Sequence, residues 1–290
     1  MVHVHVAGLV QHAHLQLNVT ALILETTLKK GSLTIFKGAK NMSYGYHLSK
    51  IYMNNLTQFP MRISSTIYNF LEQKVDNRNL LDLCCGTGHL AYYFLKKGYH
   101  VTGIDLSKYM LSHAKNINTN YIRAGKATFI HGDVTNFSLA NRYSIILSTY
   151  DSLNHLDNFT LLSDTFKNAY SHLDENGYFI FDLNTKQGLS KPNGGLLSED
   201  ENHFNMAQSF YDSTWNKAYC RYYGFIKEPS TEHYFKYDET ISNTIFSLSE
   251  VERSLYQTGF TSVYFATLRD LDRKIENPES KDRVFAIVRK

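Results

Sequence analysis

The sequence predicts a doubly wound α/β fold that carries an aromatic-rich antiparallel insertion and an extra N-terminal segment. Three observations predict it. Residues Leu80 to Ala91 read LLDLCCGTGHLA, an apolar run that breaks at Gly86-Thr87-Gly88 and continues at helical spacing through Tyr92, Phe94 and Leu95. That is a strand, a tight turn and a helix N-terminus. Downstream, short apolar runs alternate with helix-periodic stretches, the rhythm of a wound sheet. From Asn202 to Asn243 the pattern changes to crowded aromatics with partly alternating polarity, which predicts a small antiparallel sheet.

The chain has 290 residues and a mass of 33.4 kDa, which suits one large α/β domain with an insertion. We divide it into an N-terminal extension (1–40) and a main domain (41–290) in which residues 200–245 form an inserted, substrate-covering sheet. The net charge of +3 is spread without basic blocks and gives no reason to expect a nucleic-acid surface. Three cysteines form neither a disulfide framework nor a zinc set, so a reducing, cytoplasmic setting is expected. Residues 1–40 are apolar but hold no run long enough for a membrane span, and no Lys or Arg precedes Lys29, which disfavours a signal peptide. His3 and His5, like His12 and His14, are two apart, as on one face of a half-buried strand. No Cys, Asp or Glu completes a metal set there, and no metal site is assigned. The segment reads as a strand pair, a dimerisation arm or a stretch mobile in solution. A homodimer through it or through the inserted sheet is one arrangement these elements allow.

Taken in order, helical spacing runs from Tyr44 to Leu56 and from Ile63 to Lys74, with Pro60 expected to start the second helix. Tyr44, Tyr46 and Tyr52 are placed to fold over the glycine turn as a lid. After the turn, a second strand, Val101 to Ile104, ends in Asp105, about twenty residues past the first glycine, where an acid can accept two hydrogen bonds from a ribose diol. Ser107 caps the next helix. A third strand, Ala127 to Ile130, ends in His131-Gly132-Asp133, and Asp133 either accepts from an exocyclic amine such as that of adenine or caps its own turn. The fourth strand, Tyr143 to Ser148, delivers Thr149, Tyr150, Asp151, Asn154 and His155 to the carboxyl edge of the sheet, where open α/β folds bind ligands. A helix from Thr160 to Leu173 leads to the fifth strand, YFIFDLN. After the insertion, Ser247 or Ser249 begins a helix with Glu250 and Glu252 in capping-box positions. Gly259 leads into strand six, the span Arg269 to Asp282 reads as an exposed loop, and Val284 to Val288 is the last strand.

Glycine spacing with Asp105 downstream also satisfies the loose nicotinamide fingerprint. Against it stand the roughly eighty residues before the first glycine, Asp82 inside the first strand and a further acid ending the third. A buried acid needs a partner. A sulfonium cofactor bearing an amino group would give these acids a reason.

Together these motifs resemble the class I S-adenosylmethionine-dependent methyltransferases, in the N-methyltransferase-like branch that modifies small molecules. The family's first motif corresponds to Asp82-Leu83-Cys84-Cys85-Gly86-Thr87-Gly88, its ribose acid to Asp105 and its adenine-side acid to Asp133 beside Val134. YDSLNHL is similar to the segment after strand four in small-molecule N-methyltransferases. The resemblance covers roughly residues 42 to 290. It implies a Rossmann-like, mostly parallel seven-stranded sheet whose last strand runs antiparallel. It also implies S-adenosyl-L-methionine as cofactor and S-adenosyl-L-homocysteine as product. With the tyrosine lid, the implied cofactor site comprises Tyr44, Tyr52, Asp82, Cys84, Cys85, Gly86, Thr87, Gly88, Asp105, Leu106, Met110, Gly132, Asp133, Val134 and Thr149. Cys84 and Cys85 are expected as compact residues that let the cofactor lie close, and Asp82 is expected to face its amino-acid end directly or through water.

On the acceptor side the candidates are Tyr150, Asp151 and His155. Asp151 would hold a cationic or hydroxyl-bearing substrate, and His155 is the candidate base because a histidine ordinarily titrates near neutrality. Alternatively, Asp151 and Asn154 cap the next helix and His155 fills space. The expected partner is a small-molecule methyl acceptor, at nitrogen rather than oxygen. Small-molecule O-methylation, macromolecular methylation and a non-catalytic cofactor-binding subunit remain the competing readings.

Overall fold

Two helices precede the sheet, α1 (Tyr46–Asn55) and α2 (Gln58–Leu71), followed by β1 (Asn79–Leu83), α3 (His89–Lys96), β2 (His100–Asp105), α4 (Lys108–Ile117), α5 (Thr119–Arg123) and β3 (Ala127–His131). β4 (Tyr143–Ser148), a 3-10 turn (Ser152–His155), α6 (Phe159–His172), β5 (Leu173–Asn184) and α7 (Lys186–Leu189) come next. The insertion is β6 (Gly194–Asp200), β7 (His203–Asp212), β8 (Lys217–Lys227) and β9 (Tyr234–Thr244), after which α8 (Leu248–Thr258), β10 (Ser262–Ala266) and β11 (Arg283–Arg289) complete the chain. This computed structural model describes residues 44–55, 58–191, 194–228 and 230–290, and residues 41–290 form one compact unit. The strand pair, dimerisation arm and histidine pairs expected in residues 1–40 lie outside the described residues.

The main sheet has the order β10-β11-β5-β4-β1-β2-β3, with β1 to β5 parallel and β11 antiparallel to both β5 and β10. All of β4 is buried, as expected of a parallel strand covered on both faces. Leu80, Val101, Ile145 and Ile180 pack under α2, α3 and α4 through Ile67, Phe94 and Leu111, while Leu81, Leu83, Ile146 and Phe181 meet α6 and α8 through Phe166 and Val251. The chain runs from β1 outward to β3 and then returns to β4 on the other side of β1. That reversal opens a crevice at the carboxyl ends of β1 and β4.

The inserted sheet is a meander, β6-β7-β8-β9, with pairs such as Tyr219↔Ser242 fixing the register of β8 on β9. One face buries Tyr237 and Ile241 against Leu48 and Ile51 of α1. Glu239 of β9 accepts from the Leu48 N–H at 3.4 Å, placing an acid at the α1 N-terminus, where the helix dipole favours one.

Some local expectations fail for physical reasons. α2 begins at Gln58, ahead of Pro60, which the first turn tolerates because its N–H would have no helix partner there. The Ser247/Glu250 capping box does not form, because Ser247 Oγ pairs with Ser249 Oγ at 2.9 Å. Glu279 instead reaches the Leu248 N–H at 2.8 Å from a 3-10 turn at Pro278–Ser280, within the span read as a plain exposed loop.

Candidate active site

The glycine turn needs its residue types for two different reasons. Gly86 has φ +52, and a Cβ built there would meet nothing within 4 Å, because it would point into the cavity above the sheet edge. Gly88 has φ +74, and a Cβ there would come within 2.9 Å of Ala114. Gly88 was expected among the cofactor residues but does not line the cavity. Its lack of a side chain lets α3 approach α4, where Asn118 Nδ2 donates to the Gly88 carbonyl at 3.2 Å.

Around this turn the cavity wall gathers Asp82, Cys84, Cys85, Gly86 and Thr87 from β1 and its loop, then Asp105, Leu106 and Met110 from the β2 edge. Gly132, Asp133 and Val134 follow β3, Thr149, Tyr150 and His155 follow β4, and Tyr44 and Tyr52 come from the α1 region. Tyr46, the third tyrosine of the expected lid, is 46% exposed and packs edge-on against Tyr109 instead.

Asp82 is 2% exposed, and its Oδ2 has no hydrogen-bond partner among the described residues. Burial, then the charge of Asp105, pushes its carboxyl well above the usual range. Such a group calls for a cationic donor from outside the chain. Asp105 accepts from Gly86 N–H through Oδ2 and from Ser107 N–H through Oδ1, each at 2.8 Å. Each carboxylate oxygen keeps a second lone pair, so the acid can serve a diol while bracing the turn. Asp133 braces its own turn, where Oδ1 accepts from the Thr135 N–H at 2.8 Å and hydroxyl at 2.7 Å, and the residue also lines the cavity. Leu106, 52% exposed, and the buried Val134 offer apolar surface near it. Burial raises the Cys84 and Cys85 thiols well above their ordinary value, so neither is a nucleophile near neutral pH.

The acceptor side corrects one assignment. Asp151 does not line the cavity. Its carboxylate accepts from Arg283 Nη2 of β11 at 2.7 Å, and Arg283 Nη1 lies 2.6 Å from Asp182 of β5. Asp182 also accepts the N–H groups of Tyr150 and Asp151 at 2.6 and 3.0 Å. Those two residues sit at φ 69 and 49, a left-handed pair that costs non-glycine residues about 1–3 kcal/mol each. Asp151 thus braces the loop through Arg283. Tyr150 remains in the wall, edge-on to Tyr52 at 5.7 Å, and Tyr52 is edge-on to Tyr44 at 5.8 Å.

His155 Nδ1 lies 3.0 Å from the Ser242 carbonyl of β9. A carbonyl only accepts, so Nδ1 carries the hydrogen in this contact. Asn154 donates to the Asn184 and Thr244 carbonyls at 3.1 and 2.9 Å, which fastens the 3-10 turn to both sheets.

Several wall residues were not anticipated, chiefly His89, Thr135, Ser152, Asp157, Ile241 and Ser242. His89 was detectable as a hydrogen-bonding side chain opening the helix after the glycine turn. Ile241 and Ser242 carried no such signal, because they arrive from the insertion.

A doubly wound sheet with a buried acid at β1, a braced acid at β2 and an open glycine turn, all on one cavity at the carboxyl edge, is the arrangement of a nucleotide-type cofactor site. The model described as "Methyltransferase domain" matches residues 80–177. "Putative methyltransferase YqeM" of Bacillus subtilis (strain 168) is 30% identical over 186 residues, covering 62% of this chain and 72% of that one. A "dTDP-3-amino-3,4,6-trideoxy-alpha-D-glucopyranose N,N-dimethyltransferase" of Streptomyces venezuelae is 30% identical over 102 residues, 35% of this chain and 40% of that one. The crystal structure of an S-adenosylmethionine-dependent methyltransferase from Clostridium acetobutylicum ATCC 824 shares the fold, with TM-score 0.67 at 23% identity over 84% of this chain and 97% of that one. The chain belongs to the class I S-adenosylmethionine-dependent methyltransferase family.

Proposed function

We propose that this methyltransferase acts on an amine nitrogen of a small-molecule acceptor. The observation that carries the reading is the chemistry of the cavity wall. Asp82, Asp105, Asp133 and Asp157 line it with Tyr44, Tyr52 and Tyr150, and no lysine or arginine does so among the described residues. Of the four acids only Asp157 is ion-paired among the described residues, to Lys217 at 2.9 Å. An anionic acceptor would meet net repulsion there, whereas an amine meets acids and tyrosine faces that favour cations. Ile241 and Ser242 bring the inserted sheet into the wall, which favours a small acceptor over a polymer lying in an open groove. The Streptomyces venezuelae relative, whose name describes an amino-sugar N,N-dimethyltransferase, adds support.

In this reading Asp82 holds the cofactor's ammonium, Asp105 its ribose hydroxyls, and Asp133 with Leu106, Met110, Gly132 and Val134 its adenine. Cys84, Cys85, Gly86, Thr87 and Thr149 shape the surface around it. When bound, the cofactor supplies an electrophilic methyl group on its sulfonium. The protein orients the acceptor for in-line attack and excludes water. Tyr52 and Tyr150 present faces to the acceptor nitrogen, and His155 takes its proton.

Deuterated-methyl S-adenosylmethionine offered with a panel of small amines, phenols and carboxylic acids tests this. Label is expected in amines, and label confined to phenols or carboxylic acids contradicts the reading.

A further inference from the structure

We propose that His89 is the residue that receives the cofactor's carboxylate and so makes this site selective for an amino-acid-bearing cofactor. The problem it answers is one of charge. The methionine end of S-adenosylmethionine carries a carboxylate beside its ammonium, and the cavity wall that must receive both holds four carboxylates and no lysine or arginine among the described residues. Unpartnered, a carboxylate in such surroundings is strongly disfavoured.

Two histidines in the wall can donate to an anion. His155 has its ring committed through Nδ1 to Ser242, on the acceptor side beside Tyr44. His89 is the first residue of α3, directly after the glycine turn, and also lines the cavity. Its Nδ1 lies 2.8 Å from Thr87 Oγ1, and Thr87 is itself buried at 2% exposure, so the ring is held by the turn. With the Thr87 hydroxyl donating to Nδ1, the neutral ring carries its hydrogen on Nε2 and remains a donor. His89 also opens α3, whose first-turn N–H groups have no helix carbonyl to bond and give that end of the helix a positive potential. Asp82 supplies the independent sign that the amino-acid end lodges here: its buried, unpartnered Oδ2 lines the same cavity and suits the ammonium on the same carbon atom as the carboxylate.

The role rests on the family's cofactor, and its test needs no acceptor. Isothermal titration of the wild type and His89→Ala with S-adenosylhomocysteine, and with its decarboxylated analogue that keeps the amine, separates the possibilities. His89→Ala is expected to weaken S-adenosylhomocysteine by about 10- to 100-fold, the range for a hydrogen bond to a charged group, and to leave the analogue unchanged within about 2-fold. His89→Gln, which keeps a donor, is expected to recover part of the loss. Equal weakening of both ligands would show that His89 only supports the turn, and no weakening of either would remove it from the site. Both outcomes overturn the proposal. Failure of the wild type to bind either ligand would instead count against the cofactor site as a whole.

Discussion

His155 shows how one hydrogen bond sets a side chain's chemistry. The Ser242 carbonyl accepts only, so the ring hydrogen in this contact sits on Nδ1 and the ring is tied to β9 of the inserted sheet. His155→Ala is expected to lower turnover of an amine acceptor by about 100-fold, the low end for general-base catalysis, while S-adenosylhomocysteine affinity holds. An unchanged rate and pH profile would remove the base role. At the same scale, Asp82 and Asp105 were both legible in the sequence because motif position fixes them at strand ends. The ion pair of Asp151 was not legible, since its partner Arg283 lies 132 residues away and nothing local announces it. The packing of Gly88 against α4 was hidden for a related reason: spacing shows that a glycine is present without showing which neighbour its missing side chain makes room for.

At the scale of elements, the loop after β4 is held by β5 and β11 more than by its own sequence. Asp182 accepts both N–H groups of the left-handed pair, and Arg283 bridges Asp182 and Asp151 while lying over the Tyr150 ring at 5.6 Å. Burial pushes the Asp182 carboxyl up to about 6, against the opposing pull of Arg283 and the two N–H donors. The native state therefore holds that proton more tightly than the unfolded chain does. From about pH 4 to about pH 6 the group's contribution to stability falls as pH rises, and it levels off above that range. Urea unfolding of the wild type and Asp182→Asn from pH 4 to 7 is expected to show the wild type's advantage over the variant shrinking across that window. An advantage that grows with pH would mean that the pairing with Arg283 outweighs burial.

For the whole molecule, the alternation of strands and helices was readable because parallel strands must be apolar on both faces and their helices amphipathic. β6 escaped notice because it begins at Gly194-Gly195, ends in Glu199-Asp200 and is mostly exposed, so it has no buried face to pattern its sequence. The cap that Glu279 provides to α8 is likewise a product of tertiary approach. The insertion was legible as an aromatic-rich sheet expected to cover the substrate, but which of its residues line the cavity was not, because Ile241 and Ser242 reach it only once β9 packs against α1 and the turn at His155. No helix among the described residues is long and apolar enough to cross a membrane. The central claim is that the doubly wound sheet and the inserted sheet together enclose a site for methylating a small amine. Its most direct measurement is mass analysis of a metabolite extract incubated with the protein and deuterated-methyl S-adenosylmethionine. The expected result is a small product with the label on an amine nitrogen. Label on oxygen, label only in the macromolecular fraction, or none above a heat-killed control would contradict it.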